Sequence, residues 1–421
     1  MDAHLAFTRF TGRRLHLGVC GSIAAYKAPD LVRMWRDAGM DVGVTLTDAA
    51  RRFIAPLTFA ALGASPVFTT MFAGGPAGQP GGDGGPPPPS PDDDVFGHLM
   101  PGQAAHAFII APASATTMAR LAHGLADDML SAQALAFPGP LVIAPAMNPK
   151  MWSNAATRDN VETLRRRGHV VVEPACGRTA CMEEGQGRLA DPREVFLYGL
   201  RAASPQDMQG RRALVTLGPT REQWDGVRYW TNPSSGVMGA AVAVALWLRG
   251  ADVHAVCGPG APWLPAGVIR HDVTSARQMF DAADGLWDTM DAGVFTAAVA
   301  DFSPVPLGAE KFKKADARAG FSVAFTPNPD ILATLGGRKR AGQKVVGFAA
   351  ETSGLAQSMA RKLSAKNADM IVGNLVGGAD AGFGTATNRV TVLARGGEPE
   401  EWPVLPKPDV AWRIVDWLVR L

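Results

Sequence analysis

The chain of 421 residues predicts an α/β protein built from two doubly wound parallel-sheet domains. Three observations predict this. Apolar runs such as residues 107–111 (Ala-Phe-Ile-Ile-Ala) and 141–144 (Leu-Val-Ile-Ala) have the near-continuous hydrophobicity of strands buried on both faces. Helical stretches alternate with these runs, which is the order of a parallel sheet. The strand–loop–helix pattern also starts twice, at Arg14 and again at Arg211.

Composition narrows the function. Hydrophobic residues make up 47% and charged residues 19%, ordinary for a globular protein. A net charge of +2 argues against a nucleic-acid or polyanion binder. No apolar run approaches the ~18 residues of a membrane span. The start, Met1-Asp-Ala-His-Leu-Ala-Phe, lacks the basic and apolar segments of a signal peptide. The four cysteines, Cys20, Cys176, Cys181 and Cys257, are too scattered for a disulfide framework and fit reduced thiols in a cytoplasmic protein. No His/Cys cluster has zinc spacing, and metal ligands stay unassigned.

The first strand is expected at residues 14–20. The Gly21-Ser22 turn follows, then a helix from Ile23 to about Asp37 and a second strand at 41–46. A small-residue loop at a helix N-terminus is a natural phosphate site. Gly21, Ser22 and Ile23 form it, and Thr47 ends the second strand. G-x-G-x-x-G is absent, so a dinucleotide reading is weak and a plain Gly-Ser turn stays open. Residues 73–94 are Gly/Pro-rich and read as a disordered surface insertion with no assigned function. His98 follows and by itself is more simply structural. After the strand at 107–111, residues 112–117 (Pro-Ala-Ser-Ala-Thr-Thr) cap a helix and put Ser114 and Thr116 at a second strand end.

The strand at 141–144 leads into residues 145–152, Pro-Ala-Met-Asn-Pro-Lys-Met-Trp. In open α/β sheets ligands bind beyond the carboxyl ends of strands, so Asn148 stands where a substrate belongs. An ordinary proline-rich turn is an equally good reading of that run taken alone. A strand is expected at 169–172. Residues 180–189 are polar with two glycines and read as a mobile loop exposing Cys181, for which an incidental surface thiol is the plainer reading taken alone. Residues 202–210 read as a linker, which divides the chain into domains at 1–201 and 211–421.

The second half begins with a strand at 211–217. A long loop to Gly236 is rich in hydroxyls, Asn and Arg, and loops of that length are usually functional. Ser234-Ser-Gly236 opens a helix from about Met238 to Arg249, where phosphate could sit, with a plain capped helix after a loop as the alternative. A strand at 252–256 follows. Residues 295–301 read as a strand ending in Asp301, placed for Mg²⁺ or a ribose hydroxyl. Residues 310–314 (Glu-Lys-Phe-Lys-Lys) are a basic loop, for which a solvated charge run is the plain alternative. Pro327-Asn-Pro-Asp-Ile331 opens a helix. Residues 345–351 form a strand, and the next helix carries Lys362 and Lys366 four apart. An edge strand at 387–395 and an amphipathic helix at 409–420 close the chain.

Taken together these blocks resemble the bifunctional enzymes of coenzyme A biosynthesis that join phosphopantothenoylcysteine decarboxylase to phosphopantothenate–cysteine ligase. Residues 145–152 fit the Pro-x-Met-Asn-x-x-Met-Trp signature of flavin-dependent cysteine decarboxylases. The likeness also rests on 21–27, Gly97-His98, Ala180-Cys181 with 185–188, 218–222, 228–236, 310–314 and 347–351, and spans nearly the whole chain. It implies two Rossmann-like domains, a flavoprotein decarboxylase followed by a nucleotide-binding ligase. The first would bind FMN through Gly21, Ser22, Ile23, Thr47, Ser114 and Thr116. There His98 would be the base, Asn148 would hold the departing carboxylate and Cys181 would donate a proton. Flavin oxidation of the substrate thiol would create the electron sink that decarboxylation needs.

The ligase would activate 4′-phosphopantothenate with CTP as an acyl-cytidylate, which the amine of cysteine attacks, with Mg²⁺ and lysines offsetting phosphate charge. Asn232 would bind the acyl-cytidylate and Lys311 the triphosphate, with Lys362 and Lys366 beside it. Asp301, Pro329, Asp330, Ile331, Leu332 and Phe348 would line the cytidine site. The family implies a homo-oligomer with trimeric decarboxylase contacts and dimeric ligase contacts. Five departures from the family pattern stand out: Pro101 after His98, Asp127 for Asn, Met182 for Gly, Pro233 with Val237 around Ser234-Ser-Gly236, and the insertion. Two other readings are a nucleotide-dependent oxidoreductase and a flavin-binding regulatory subunit. The missing G-x-G-x-x-G opposes the first, and His98, Asn148 and Cys181 together oppose the second.

Overall fold

The computed structural model describes residues 2–71, 97–313, 320–375 and 385–420. The 73–94 insertion and Lys314 lie outside the described residues. The chain forms two compact units, Thr8–Ser204 and Pro205–Leu421, and the second also includes Met1–Phe7. The sequence reading had put those first seven residues in the N-terminal domain.

In the unit Thr8–Ser204, six strands form one parallel sheet: β1 (Arg14–Val19), β2 (Asp41–Leu46), β3 (Val67–Phe68), β4 (Ala107–Ala113), β5 (Leu141–Pro145) and β6 (Val170–Val171). Their order is β3-β2-β1-β4-β5-β6. The order reverses between β1 and β4, which is where a doubly wound sheet opens a crevice for ligands. Every residue of β4 and β5 is buried, as expected of strands covered on both faces. Phe108, Ile110, Leu130, Ile143, Trp152 and Leu164 build one layer of the core.

Two local differences from the sequence reading have simple causes. The helix expected from Ile23 to Asp37 is a 3₁₀ turn, Ile23–Lys27, followed by an α-helix, Ala28–Asp37. Pro29 lies in the first turn of the α-helix, where its missing N–H is tolerated. The segment read as a mobile loop is half of an antiparallel hairpin, β7 (Ala175–Arg178) with β8 (Glu184–Arg188). Gly185 and Gly187 made it look like a loop, but they serve close packing. A Cβ on Gly187 would lie 2.4 Å from the carbonyl oxygen of Met147, so the hairpin can lie against the Asn148 loop only with glycine there.

The second unit begins with β9 (Arg212–Leu217) and the hairpin β10 (Arg221–Gln223) with β11 (Tyr229–Thr231). Then come β12 (Asp252–Cys257), β13 (Val268–Asp272), β14 (Ala292–Phe295), the ribbon β15 (Phe302–Pro304) with β16 (Phe325–Pro327), and β17 (Lys344–Glu351). Five more follow: β18 (Met370–Leu375), β19 (Thr387–Asn388), β20 (Thr391–Ala394), β21 (Glu400–Glu401) and β22 (Leu405–Pro406). The main sheet runs β13-β12-β9-β14-β17-β18-β20-β21, parallel through β18 and antiparallel beyond it. Its first six strands repeat the order of the other sheet.

The strand expected at 295–301 ends at Phe295. The chain then turns, held by Thr296 N–H to Thr216 O (3.1 Å) and Ala298 N–H to Gly218 O (2.9 Å). Within 387–395, β20 is not the edge, because β21 pairs outside it. The helix Val237–Leu248 is buried almost all round. The N-terminal segment covers it together with the last helix, Lys407–Val419: Leu5 and Phe7 are buried, Phe7 meets Trp412 edge-on, and a ring nitrogen of His4 lies 2.7 Å from Trp263 O. No described helix is long and apolar enough to cross a membrane.

Candidate active sites

In the first unit a cavity of about 550 Å³ opens at the carboxyl ends of β1, β4 and β5, a normal size for a small-molecule site. Gly21, Ser22, Ile23, Ser114, Asn148 and Cys181 all line it, with Arg178 and Arg188 from the hairpin. Ser22 accepts from Ala24 N–H and caps the turn behind it; Ser114 likewise accepts from Thr117 N–H. Gly21 allows the loop to approach Ala49, whose Cβ would lie 2.4 Å from any added Cβ. Thr47 caps the short helix Asp48–Arg51, and neither it nor Thr116 lines the cavity.

Asn148 is the N-cap of the helix Pro149–Ser153, its Oδ1 accepting from Lys150 N–H at 2.8 Å. The cap turns the amide nitrogen the other way. Nδ2 donates to Cys181 Sγ (3.1 Å) and to Glu183 Oε2 (2.9 Å), and Lys150 Nζ pairs with Glu183 Oε1 (2.9 Å). Cys181 is exposed near the hairpin tip, 3.0 Å from the Thr179 hydroxyl. Hydrogen bonds from Thr179, the Glu183 backbone and Asn148 hold its thiol below the ordinary thiol range. The next residue, Met182, has φ of +68°, a conformation that favours glycine.

His98 does not line this cavity. It follows Gly97, whose carbonyl accepts from Gln133 Nε2 at 3.1 Å. Gln133 in turn accepts from the Thr45 hydroxyl (2.5 Å), which lies 2.7 Å from Nε2 of buried His16. Pro101 sits in the first turn of the helix Met100–Ala104, where it removes no needed hydrogen bond. Asp127 is paired with Arg120 at 2.8 Å.

A larger cavity, about 630 Å³, opens at the carboxyl ends of β9, β14 and β17 in the second unit. Asn232, Asp301, Pro329, Asp330, Ile331, Leu332, Phe348, Lys362 and Lys366 all line it, and so do Ser234, Ser235 and Gly236 at the start of the helix Val237–Leu248. Asn232 Nδ2 donates to Val299 O at 3.1 Å, pinning the post-β14 loop to the wall. Lys362 pairs with Glu351 (2.9 Å) and Lys366 with Asp330. Asp330 also caps the helix Ile331–Gly337 through Ala333 N–H.

Lys311 is exposed and outside the cavity lining. Its neighbour Phe312 donates its N–H to buried Asp225 (3.1 Å), which also takes N–H bonds from Val227 and Arg228. No described group of three or more His, Cys, Asp or Glu could hold a metal ion. Sequence reasoning missed Arg178, Asn374, Asn388 and Lys407 as lining residues. Nothing local marks them.

Two family models divide the chain as the two units do. The flavoprotein family matches residues 8–198, and the C-terminal domain of the DNA/pantothenate metabolism flavoproteins matches 208–421. A coenzyme A biosynthesis bifunctional protein of Mycobacterium bovis is 40% identical over 422 residues, covering 97% of this chain and 96% of the relative.

The chain belongs to the family of coenzyme A biosynthesis bifunctional proteins.

The Bacillus subtilis member is 37% identical over 413 residues, covering 97% of each chain. The solved C-terminal domain of a coenzyme A biosynthesis bifunctional protein shares 37% identity, with a TM-score of 0.43, over 51% of this chain and 97% of that one. As a member of the family the protein is a bifunctional enzyme of coenzyme A biosynthesis, a decarboxylase joined to a cysteine ligase, and its N-terminal unit is a flavoprotein domain.

Proposed function

We propose that the C-terminal unit joins cysteine to 4′-phosphopantothenate using CTP and Mg²⁺, and that the N-terminal unit, with FMN, decarboxylates the product to 4′-phosphopantetheine. The observation that carries the reading is the hydrogen bond from Asn148 to Cys181, made in the lining of a cavity to which the small-residue loop Gly21-Ser22-Ile23 also contributes.

The cavity fits a flavin mononucleotide. Gly21, Ser22, Ile23 and Ser114 would hold it, with Arg178 and Arg188 as cations near its anionic groups. When bound, the flavin supplies the two-electron oxidation of the substrate thiol that makes loss of carbon dioxide feasible. Asn148 Nδ2 already donates to a carboxylate, that of Glu183, so the same donor suits the carboxylate of the substrate. A Cys181 thiol of lowered pKa releases its proton more readily, as a proton donor should. We assign the base to His98. Since it does not line the cavity of its own chain, we infer that a second copy supplies it within a trimer.

In the ligase cavity the backbone N–H groups at Ser234-Ser-Gly236 suit phosphate. Asn232 is assigned to the acyl-cytidylate. Asp301, Phe348 and residues 329–332 are assigned to cytidine, and Lys362 and Lys366 to the phosphates. Lys311 is assigned to the triphosphate. Mg²⁺ arrives with the nucleotide, as it usually does where phosphates supply part of its shell. The ligase units are assigned a dimer.

Incubation with 4′-phosphopantothenate, cysteine, CTP and Mg²⁺ tests the whole reading by mass spectrometry. The expected product is 4′-phosphopantetheine. Accumulated cysteine adduct would leave the ligase assignment standing and refute the decarboxylase one; no product with CTP or ATP would refute both.

A further inference from the structure

The wall of the ligase cavity holds a lysine that the sequence did not single out. Lys407 is only 4% exposed, yet it lines the cavity. It is the first residue of the last helix, Lys407–Val419, where the positive end of the helix dipole makes a cation unfavourable. Burial pushes its ammonium below the ordinary lysine range. The other two lysines on the wall are neutralised, Lys362 by Glu351 and Lys366 by Asp330. Lys407 has no carboxylate partner among the described residues. Buried charges are normally paired, so a buried and unpaired ammonium at a helix N-terminus lacks its counter-ion.

Asn388 adds a second, independent observation. It is 6% exposed, lines the same cavity, and its Oδ1 is buried with no hydrogen-bond partner. The ribbon β19–β22 fixes both residues. Asn388 is in register with Leu405, and Lys407 N–H donates to Ala386 O at 3.1 Å. On the same wall, the helix Val237–Leu248 begins with Val237 and Met238 and brings no basic side chain of its own.

We propose that Lys407 is the counter-ion for a phosphoryl group of a substrate bound in this cavity, with Asn388 Oδ1 on the same wall accepting from a hydroxyl or N–H of that substrate. The inference rests on the ligase reading and names a binding residue within it. Two substrates carry such a group, the nucleoside triphosphate and the phosphorylated acid.

Calorimetric titration of the full-length protein with CTP and with 4′-phosphopantothenate separates them, with cytidine and pantothenate as phosphate-free controls. A charge-assisted hydrogen bond contributes about 1.5–3 kcal/mol, so Lys407→Met should weaken one phosphorylated ligand by about 10- to 100-fold. Cytidine and pantothenate should change less than twofold, and Lys407→Arg should bind the affected ligand tighter than Lys407→Met. Which ligand weakens identifies the source of the phosphoryl group. Lys407→Met should keep or raise the Tm of the ligand-free protein, because it removes an unpaired buried charge. If it does not fold, Lys407→Gln against Lys407→Arg gives the same comparison. Unchanged affinity for both phosphorylated ligands in a folded variant would overturn the proposal. Failure of the wild-type protein to bind either would instead overturn the ligase reading beneath it.

Discussion

Single residues set the chemistry of the hairpin tip. The Thr179 hydroxyl is the largest influence lowering the Cys181 thiol. Thr179→Val should therefore raise that thiol toward its ordinary range and slow its alkylation at pH 7 several-fold, since only the thiolate reacts. Peptide mapping after iodoacetamide treatment measures this, with exposed Cys176 as the internal control; an unchanged rate would remove the hydroxyl from the account. His16 tests burial in a different way. Burial lowers its pKa to about 3, opposed only in part by its tie to Gln133. Between the usual value near 6.5 and that lowered value, the unfolded chain binds a proton that the fold does not. Stability should thus fall as pH drops through this window, by up to about 1.4 kcal/mol per pH unit from this group. His16→Gln should flatten that part of the acid limb in thermal melts taken at several pH values.

At the scale of elements, close approach decides where the Ser234-Ser-Gly236 loop sits. A Cβ on Gly239 would lie 2.1 Å from Thr296 Oγ1 and 2.5 Å from Leu217 Cβ. The helix Val237–Leu248 can therefore seat its first turn on β9 and the post-β14 loop only with glycine at that point. Gly239→Val should push the helix outward, cost about 1–3 kcal/mol of stability by overpacking, and weaken CTP binding, because Ser234-Ser-Gly236 moves with the helix. Urea unfolding and calorimetry read the two effects. A stable variant with full CTP affinity would refute the coupling.

At the scale of the whole molecule, apolar exposure speaks to assembly. Ile23, Tyr26 and Met151 line the first cavity, yet are 58%, 62% and 48% exposed. Large apolar side chains clustered at the mouth of a site mark an interaction surface. We expect the full-length protein to sediment as an oligomer, and Tyr26→Glu to shift it toward smaller species and release flavin, seen as loss of absorbance near 450 nm. A monomeric wild-type protein that retains flavin would contradict the shared site.

Much of this was legible in the sequence. Buried parallel strands need long apolar runs and helices behind strands need caps, so the α/β class and the second start of the strand–loop–helix pattern follow from local pattern, whereas the site residues are singled out by the family resemblance. Other features depend on residues that meet only after folding. Cys181 and Asn148 are 33 residues apart and bond because Gly187 lets a hairpin lie on the Pro145–Pro149 turn. Lys362 and Lys366 look like free cations in sequence, but β17 and the Ile331–Gly337 helix bring carboxylates to both. Lys407 looks like one more surface lysine ahead of a helix. Only burial, and the absence of a described partner, set it apart, and both depend on what the rest of the chain packs around it.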